Sequence, residues 1–196
     1  MTGLPSTGRE VEEQTLHALR RGSPGMQDGV FDTVYAMREI VVGIADLKVS
    51  RHSDDVMVTY ALGSCVAVAA YDPVARVGGL LHFMLPSSSL NVSKAKENPS
   101  MFADTGLPVL FKSCYELGAD KKRMVVKVAG GANIIGDASF FRVGQKNLTT
   151  LRKILWRNGI LITGEDTGSN TNRTLRFHIR DGRVQVRKSG GALEAI

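Results

Sequence analysis

The sequence of 196 residues contains only two cysteines, Cys65 and Cys114, and neither belongs to a Cys-x-x-Cys pair. Two isolated cysteines argue against a disulfide framework and against a cysteine-based zinc site, so no metal is expected. No apolar run approaches the length of a bilayer span, and the N-terminal residues lack the apolar core of a secretory signal. We therefore expect a protein of the reducing cytoplasm that does not insert into a membrane.

Aromatic residues are also few, at 6% of the chain, whereas the hydrophobic content of 43% and the charged content of 22% are ordinary for a globular protein. The net charge is +6, and the basic excess lies after residue 30, because residues 1–30 hold four acidic and three basic residues. Such an excess suits a contact with nucleic acid or with an acidic protein, or a merely solvated face. No aromatic side chains are interleaved with the late arginines, so nucleic acid is not expected as a partner.

The length allows one domain with a substantial core and a short extension. Residues 1–30 are rich in glycine, proline, serine and threonine, with few apolar anchors. This composition predicts a mobile N-terminal extension over residues 1–34. We predict the folded domain over residues 35–190 and a C-terminal tail over residues 191–196.

Strand and helix patterns alternate through the predicted domain. Apolar and β-branched runs predict strands, and two segments with apolar residues three and four apart predict helices that end at Gly118 and Gly159. We expect Pro108 in the first turn of the first helix. The predicted strands are EIVVGIADLKV, DVMVTYAL, CVAVAAY, GGLLHFML, MVVKVAGGANII (running into a glycine-rich bend), GILITGEDTG and the two halves of TLRFHIRDGRVQVRK. The hairpins imply antiparallel pairing and an α+β fold rather than a doubly wound parallel sheet.

The last hairpin turns at Asp181-Gly182 and has one apolar and one basic face. Its basic residues include Arg176, Arg180 and Arg183, which we consider as contacts for an acidic partner surface. Ser87, at the start of the polar segment Ser87–Ser100, is a second candidate for substrate or partner contact because that segment is long enough to be a functional loop.

Cys65 and His82 lie on the two arms of a predicted hairpin around the turn DPVAR. A symmetric hairpin centred between Pro73 and Val74 places Cys65 directly opposite His82, where the side chains can hydrogen-bond. An imidazole lowers the pKa of a neighbouring thiol, and the resulting thiolate is a nucleophile. The amides of Gly63, Ser64 and Cys65 are candidates for an oxyanion pocket, and the Thr59 hydroxyl can orient the histidine. The alternative is that both residues only pack in the core, as we expect for Cys114 on the apolar stripe of a helix.

The residues around this pair resemble a known family. TYALGSCVAVAAYDPVARVGGLLHFMLP, at residues 59–86, is similar to the signature of the CheD family of chemoreceptor glutamine deamidases. The likeness continues through FADTGLPVLFKSCYELGA, KVAGGANI, VGQKNLTTLRKIL and EDTGSNTNRTLRFHIRDGRVQVRK. The family's catalytic cysteine, histidine and threonine correspond to Cys65, His82 and Thr59. The chain departs from the family where Gly168-Ser169-Asn170-Thr171-Asn172-Arg173 replaces a more glycine-rich loop.

The resemblance implies a layered α-β-β-α sandwich similar to the catalytic domain of cytotoxic necrotizing factor toxins. It implies a protein-glutamine glutaminase that converts glutamines of methyl-accepting chemoreceptors to glutamate through a thioester on Cys65. Neither a metal nor an organic cofactor is implied, and hydrolysis of glutamyl methyl esters needs the same acyl chemistry. The alternative implied by the family is a regulatory module that binds a CheC-type phosphatase with little turnover.

Overall fold

The computed structural model describes residues 37–133 and 142–196. Tyr35–Ile196 form one compact unit, and the extension predicted over residues 1–34 lies outside the described residues. The described residues contain ten strands: β1 Arg38–Val41, β2 Asp46–Ser50, β3 Asp55–Leu62, β4 Val66–Asp72, β5 Val77–Phe83, β6 Val125–Gly130, β7 Ile162–Thr167, β8 Arg173–His178, β9 Val184–Lys188 and β10 Leu193–Ala195. Their three α-helices are α1 Val92–Glu97, α2 Ala103–Glu116 and α3 Val143–Arg157. None of these helices is long and apolar enough to cross a bilayer.

The strands form two five-stranded sheets. Sheet A has the order β1-β3-β8-β9-β10, and sheet B has the order β2-β5-β4-β6-β7. Only β1 with β3 and β6 with β7 pair in parallel, and the other neighbours are antiparallel. The mixed sheets and few helices are compatible with the predicted α+β class.

Sheet B is the middle layer of the described domain, which explains the composition of its central strands. Every residue of β4 and β5 is buried, so neither strand shows a solvent-facing polar stripe. One face of these strands packs on α2 and α3 through residues such as Val68 and Leu81. The opposite face packs on sheet A, with Leu80 and Ala67 against Phe177 of β8.

The prediction of helices on both outer faces is not met within the described residues. Helices α2 and α3 both pack on the outer face of sheet B, and no described helix packs on sheet A. The described layers are therefore α-β-β. The outer face of β8 and β9 carries charged residues such as Arg176 and Arg187, which a covering helix would have to desolvate.

Three local predictions were wrong. The segment predicted as one strand, EIVVGIADLKV, divides into β1 and β2 in different sheets, because Ala45 adopts φ +56 in the turn between them. The predicted tail over residues 191–196 contains β10, which pairs with β9 after a turn at Gly190 (φ +75). Pro108 lies inside α2 rather than in its first turn, because the helix begins at Ala103. Gly118 (φ +103) and Gly159 (φ +66) follow the ends of α2 and α3, as predicted.

Candidate active site

The chain passes from sheet A to sheet B at Gly63–Cys65, between the end of β3 and the start of β4. The pairing of β3 with β8 is irregular between Thr59 and Leu62, and Ala61 there has φ +55. Such an irregularity bends a strand out of its sheet. Cys65 consequently lies at a sheet crossing, half-buried, with its side chain against the apolar layer between the sheets.

Hydrogen bonds fix the backbone of this crossing. The carbonyl oxygens of Gly63, Ser64 and Cys65 each accept one hydrogen bond, at 2.8, 3.0 and 2.8 Å. The donors are, in that order, the Ala132 amide, the Asn147 side chain and the Gly131 amide. A methyl group on Gly130 (φ +108) would overlap the Cys65 carbonyl oxygen, so a bare backbone is needed at that position.

His82 lies on β5 and faces sheet A. It is fully buried, and its Nδ1 is 2.7 Å from the Oγ1 of Thr59, which is fully buried on β3. This hydrogen bond joins the two sheets and sets the orientation of the imidazole ring. Nε2 is buried and has no hydrogen-bond partner among the described residues. One ring nitrogen is thus anchored and the other is left available for a reaction.

The predicted hairpin register was wrong by two residues. His82 pairs with Ala67, and Asp72 pairs with Val77 across a four-residue turn. Since side chains alternate between the faces of a strand, a shift of two keeps Cys65 on the same face as His82. The two residues become diagonal neighbours, whose Cα atoms are typically about 7–8 Å apart. The predicted hydrogen bond between them is absent, as the unpartnered Nε2 shows.

Burial favours the neutral forms of both Cys65 and His82, whereas the sequence led us to expect a thiolate beside the imidazole. Burial raises the pKa of the Cys65 thiol, and the residue's own backbone amide lowers it to a smaller extent. Burial lowers the pKa of His82 to about 4, against the opposing effect of the Asp46 carboxylate, which lies on the neighbouring strand. At neutral pH the pair therefore consists of a thiol and an imidazole that can accept its proton.

Two backbone amides near the thiol remain available for a developing negative charge. The Gly63 amide is not one of them, because it donates to the Ala61 carbonyl at 2.9 Å. Its predicted role in an oxyanion pocket is therefore wrong for this conformation. Ser64 makes no backbone hydrogen bond through its amide within the described residues, and the Cys65 amide points towards its own thiol.

The predicted contact Ser87 is already engaged within the protein. Its hydroxyl donates to Asp104 at 3.1 Å and accepts from the Ser89 amide at 3.3 Å. The amide and hydroxyl of Ser88 also donate to Asp104. These bonds tie the loop after β5 to the first turn of α2, so Ser87 has a structural contact rather than a free hydroxyl.

The three predicted arginines all form ion pairs, and two of them lie far from the site. Arg176 pairs with Glu39 at 3.0 Å, while Arg180 pairs with Asp54 and Arg183 approaches Asp181. Antiparallel pairing places the β8–β9 turn beside the start of β3, whereas Cys65 follows its end. The length of β3 separates these ends by about 23 Å. Arg180 and Arg183 therefore cannot contact a side chain that is bound at Cys65.

Arg173 is the arginine that lies near the site, and sequence analysis did not select it. It pairs with Leu62 across β3 and β8, is 2% exposed, and donates to Asp166 of β7 at 2.9 Å. The ion pair joins the two sheets and secures the loop after β7. That loop contacts the segment whose amides hold the backbone around Cys65, because the Ser169 carbonyl accepts a hydrogen bond from the Asn133 amide at 2.7 Å. In the sequence, the only signal for Arg173 was its place at the end of the loop that departs from the family pattern.

Asn147 is the second residue that sequence analysis did not assign to the site. It lies in the first half of α3 and is fully buried. Its side chain donates to the carbonyl oxygens of Ser64 and Met84. Both contacts are distant in sequence, and only the occurrence of Lys146-Asn147 in the family-like segment marked the residue.

Cys114 serves as an internal comparison for Cys65. It is fully buried on α2, and burial raises its pKa to about 12, so it is the core residue that was predicted. Within residues 37–133 and 142–196, no group of three or more His, Cys, Asp or Glu side chains is arranged to hold a metal ion.

A cysteine beside a histidine that is oriented by a third polar group is the arrangement that thiol hydrolases use. Comparison with known proteins identifies the family. Residues 84–188 match the model of CheD, described as CheD chemotactic sensory transduction. The chain belongs to the CheD family.

Curated relatives agree with the family match. The chain is 61% identical over 160 residues to the "Probable chemoreceptor glutamine deamidase CheD 1" of Syntrophus aciditrophicus, covering 82% of this chain and all of that protein. It is 42% identical over 160 residues to the "Probable chemoreceptor glutamine deamidase CheD" of Solibacter usitatus, covering 82% of this chain and 95% of that protein. The protein of the same name from Thermococcus kodakarensis is 38% identical over 162 residues, with 81% and 99% covered.

Proposed function

We propose that this protein is a chemoreceptor glutamine deamidase that acts in chemotaxis, with Cys65 as nucleophile and His82 as general base and acid. The names of its relatives support the activity. The observation that carries the assignment of residues is the buried Thr59–His82 hydrogen bond, which leaves Nε2 unpartnered on the face shared with Cys65. A core histidine would ordinarily have both nitrogens satisfied.

The first half of the reaction forms a thioester. His82 Nε2 takes the thiol proton while Sγ of Cys65 attacks the carbonyl carbon of the glutamine side chain. The amides of Ser64 and Cys65 stabilise the oxyanion of the tetrahedral intermediate. The imidazolium then gives its proton to the amide nitrogen, the carbon–nitrogen bond breaks, and ammonia leaves. This sequence requires the tautomer in which Nδ1–H donates to Thr59, since Nε2 must carry a lone pair.

The second half regenerates the thiol. His82 removes a proton from a water molecule that attacks the thioester carbonyl. The carbon–sulfur bond breaks, the imidazolium protonates Sγ, and the product is a glutamate side chain. No step needs a redox change, and a reducing compartment such as the cytoplasm would keep Cys65 as a thiol. Glutamyl methyl esters would follow the same route, with methanol leaving instead of ammonia.

Peptide mass spectrometry of a receptor cytoplasmic fragment tests this function. Incubation with the protein should raise the mass of specific glutamine-containing peptides by about one dalton, because an amide becomes an acid. Cys65→Ala and His82→Ala should abolish the change, while Cys114→Ala should not. A mass gain that persists in Cys65→Ala would contradict the assignment of the nucleophile.

Binding of a CheC-type phosphatase stays a prediction, as does similarity of the fold to cytotoxic necrotizing factor toxins. The same Cys65→Ala variant separates the two functions, since receptor deamidation should vanish in it while any phosphatase binding survives.

A further inference from the structure

Asn147 joins the two segments that carry the proposed nucleophile and base. Its Nδ2 donates to the Ser64 carbonyl at 3.0 Å and to the Met84 carbonyl at 2.7 Å. Ser64 immediately precedes Cys65, and Met84 lies two residues after His82. Among the described residues, no other side chain hydrogen-bonds to both segments.

These hydrogen bonds begin where the strand ladder ends. The last pair between β4 and β5 on this side is Val66 with Phe83. Ser64 and Met84 lie beyond that pair, so the ladder no longer fixes the distance between their backbones. The Asn147 amide spans this gap from α3. Movement of the crossing relative to the end of β5 would change the approach of the thiol to Nε2.

The chemistry of the side chain matches this position. Both acceptors are carbonyl oxygens, so the nitrogen of the amide must face them, and both of its hydrogens are used. The Oδ1 atom is buried without a partner among the described residues. A buried unsatisfied oxygen is costly and usually has a reason. The two hydrogen bonds that Nδ2 donates at the site are the reason for tolerating the unpartnered Oδ1.

We propose that Asn147 is a positioning residue that holds Cys65 and His82 at the separation needed for proton transfer from thiol to imidazole. The inference rests on the proposed function, because it assigns a role in that reaction. The competing explanation is that Asn147 only anchors α3 to sheet B. A substitution at Leu151 distinguishes the positioning role from the anchoring role, because Leu151 is fully buried one turn further along the same helix and makes only packing contacts with the apolar core.

The alkylation of Cys65 by iodoacetamide measures the positioning without any receptor. Between the pKa values of the imidazole and the thiol, the fraction of thiolate–imidazolium pair is independent of pH. The pair therefore adds a constant contribution, the plateau, to an alkylation rate that otherwise rises with the free thiolate, and the plateau is measured at the acid end of this range. The height of the plateau depends on how well the two groups are placed. In His82→Ala the plateau should disappear, leaving a rate that rises about tenfold per pH unit. Cys114 does not interfere, because it is fully buried.

Asn147→Leu keeps the approximate size of the side chain and removes both donated hydrogen bonds. We expect the plateau to fall by about tenfold or more, and kcat for deamidation to fall likewise with KM little changed. Asn147→Asp has the same shape, and one donor when it is protonated, so its plateau should lie between those of wild type and Asn147→Leu. Leu151→Ala should lower the Tm and leave the plateau within about twofold of wild type.

Two results would overturn the proposal. One is a wild-type plateau in Asn147→Leu and Asn147→Asp. The other is an equal loss of the plateau in Leu151→Ala, which would show that Asn147 acts only through the packing of α3. If Asn147→Leu does not fold, the same comparison is made between the plateaus of Asn147→Asp and Leu151→Ala. A wild-type protein that shows the plateau but deamidates no receptor would refute the proposed function and leave the positioning role in place.

Discussion

The charge state of His82 can be tested through the pH dependence of stability. The folded protein protonates His82 only below about pH 4, because burial lowers its pKa, whereas the unfolded chain does so below its ordinary value of 6.5. Between these pH values the unfolded chain binds more protons than the folded protein. The contribution of neutral His82 to the unfolding free energy is therefore fully present above pH 6.5 and is lost as the pH falls towards 4. The difference between the two pKa values corresponds to about 3 kcal/mol in total, of which about 2 kcal/mol is lost at pH 5.

Urea unfolding of wild type and His82→Gln at several pH values between about 4.5 and 7.5 isolates this effect. The difference in unfolding free energy between the two proteins should shrink or invert as the pH falls, because the variant cannot take up the proton. His178→Gln tests the same effect at a second histidine. Burial also lowers the pKa of His178, so this variant should show a change of the same sign.

A thiolate–imidazolium pair in the resting protein would reverse the sign of this pH dependence of stability. The pKa of His82 would then be raised, and its contribution to stability would be present at low pH and lost as the pH rises through the folded pKa. A wild-type protein that gains stability relative to His82→Gln on acidification would therefore refute the neutral resting site. A difference that does not change with pH would refute the burial argument itself.

Three further substitutions test the supports of the site. Thr59→Val should lower kcat by about 10- to 100-fold in a deamidation assay, while Thr59→Ser should retain most of the activity, because only the hydroxyl orients the imidazole. Asp72→Asn should lower the unfolding free energy by about 2–3 kcal/mol in urea without changing kcat, since the buried carboxylate accepts three amides and a guanidinium far from the site. Gly130→Ala should lower deamidation by about tenfold or more by displacing the Cys65 carbonyl, whereas Gly118→Ala, also at positive φ but in open space, should cost about 1–2 kcal/mol of stability and no activity.

The sequence predicted correctly which strand face carries Cys65 and His82, but not the separation of the two side chains. Alternation of side chains placed Cys65 and His82 on one face of a hairpin, and that placement survives a register error of two residues. The error arose because the turn was taken as two residues, whereas it has four and includes Arg76 at φ +51. Direct opposition became a diagonal relation, which is why the expected hydrogen bond is absent, whereas it is burial that disfavours the charged forms of both groups.

Contacts that depend on tertiary structure could not be predicted from the chain. Alternation showed that Arg180 and Arg183 belong to a basic hairpin, but the antiparallel pairing of β8 with β3 decides which end of that hairpin meets the site. The same holds for Asn147, whose two acceptors are 83 and 63 residues away. The helix pattern identified its segment, since Leu148 and Leu151 are buried there, but gave no reason for a buried amide beside them.

Detection of the thioester on Cys65 is the most direct test of the mechanism. The protein is mixed with a receptor fragment, quenched with acid within the first turnover, and digested for mass spectrometry. The peptide containing Cys65 should gain the mass of the receptor peptide less about 17 daltons, the mass of the ammonia lost, and the adduct should be absent in Cys65→Ala. Deamidation of the receptor by a protein in which Cys65 stays unmodified and can be replaced by alanine would contradict it.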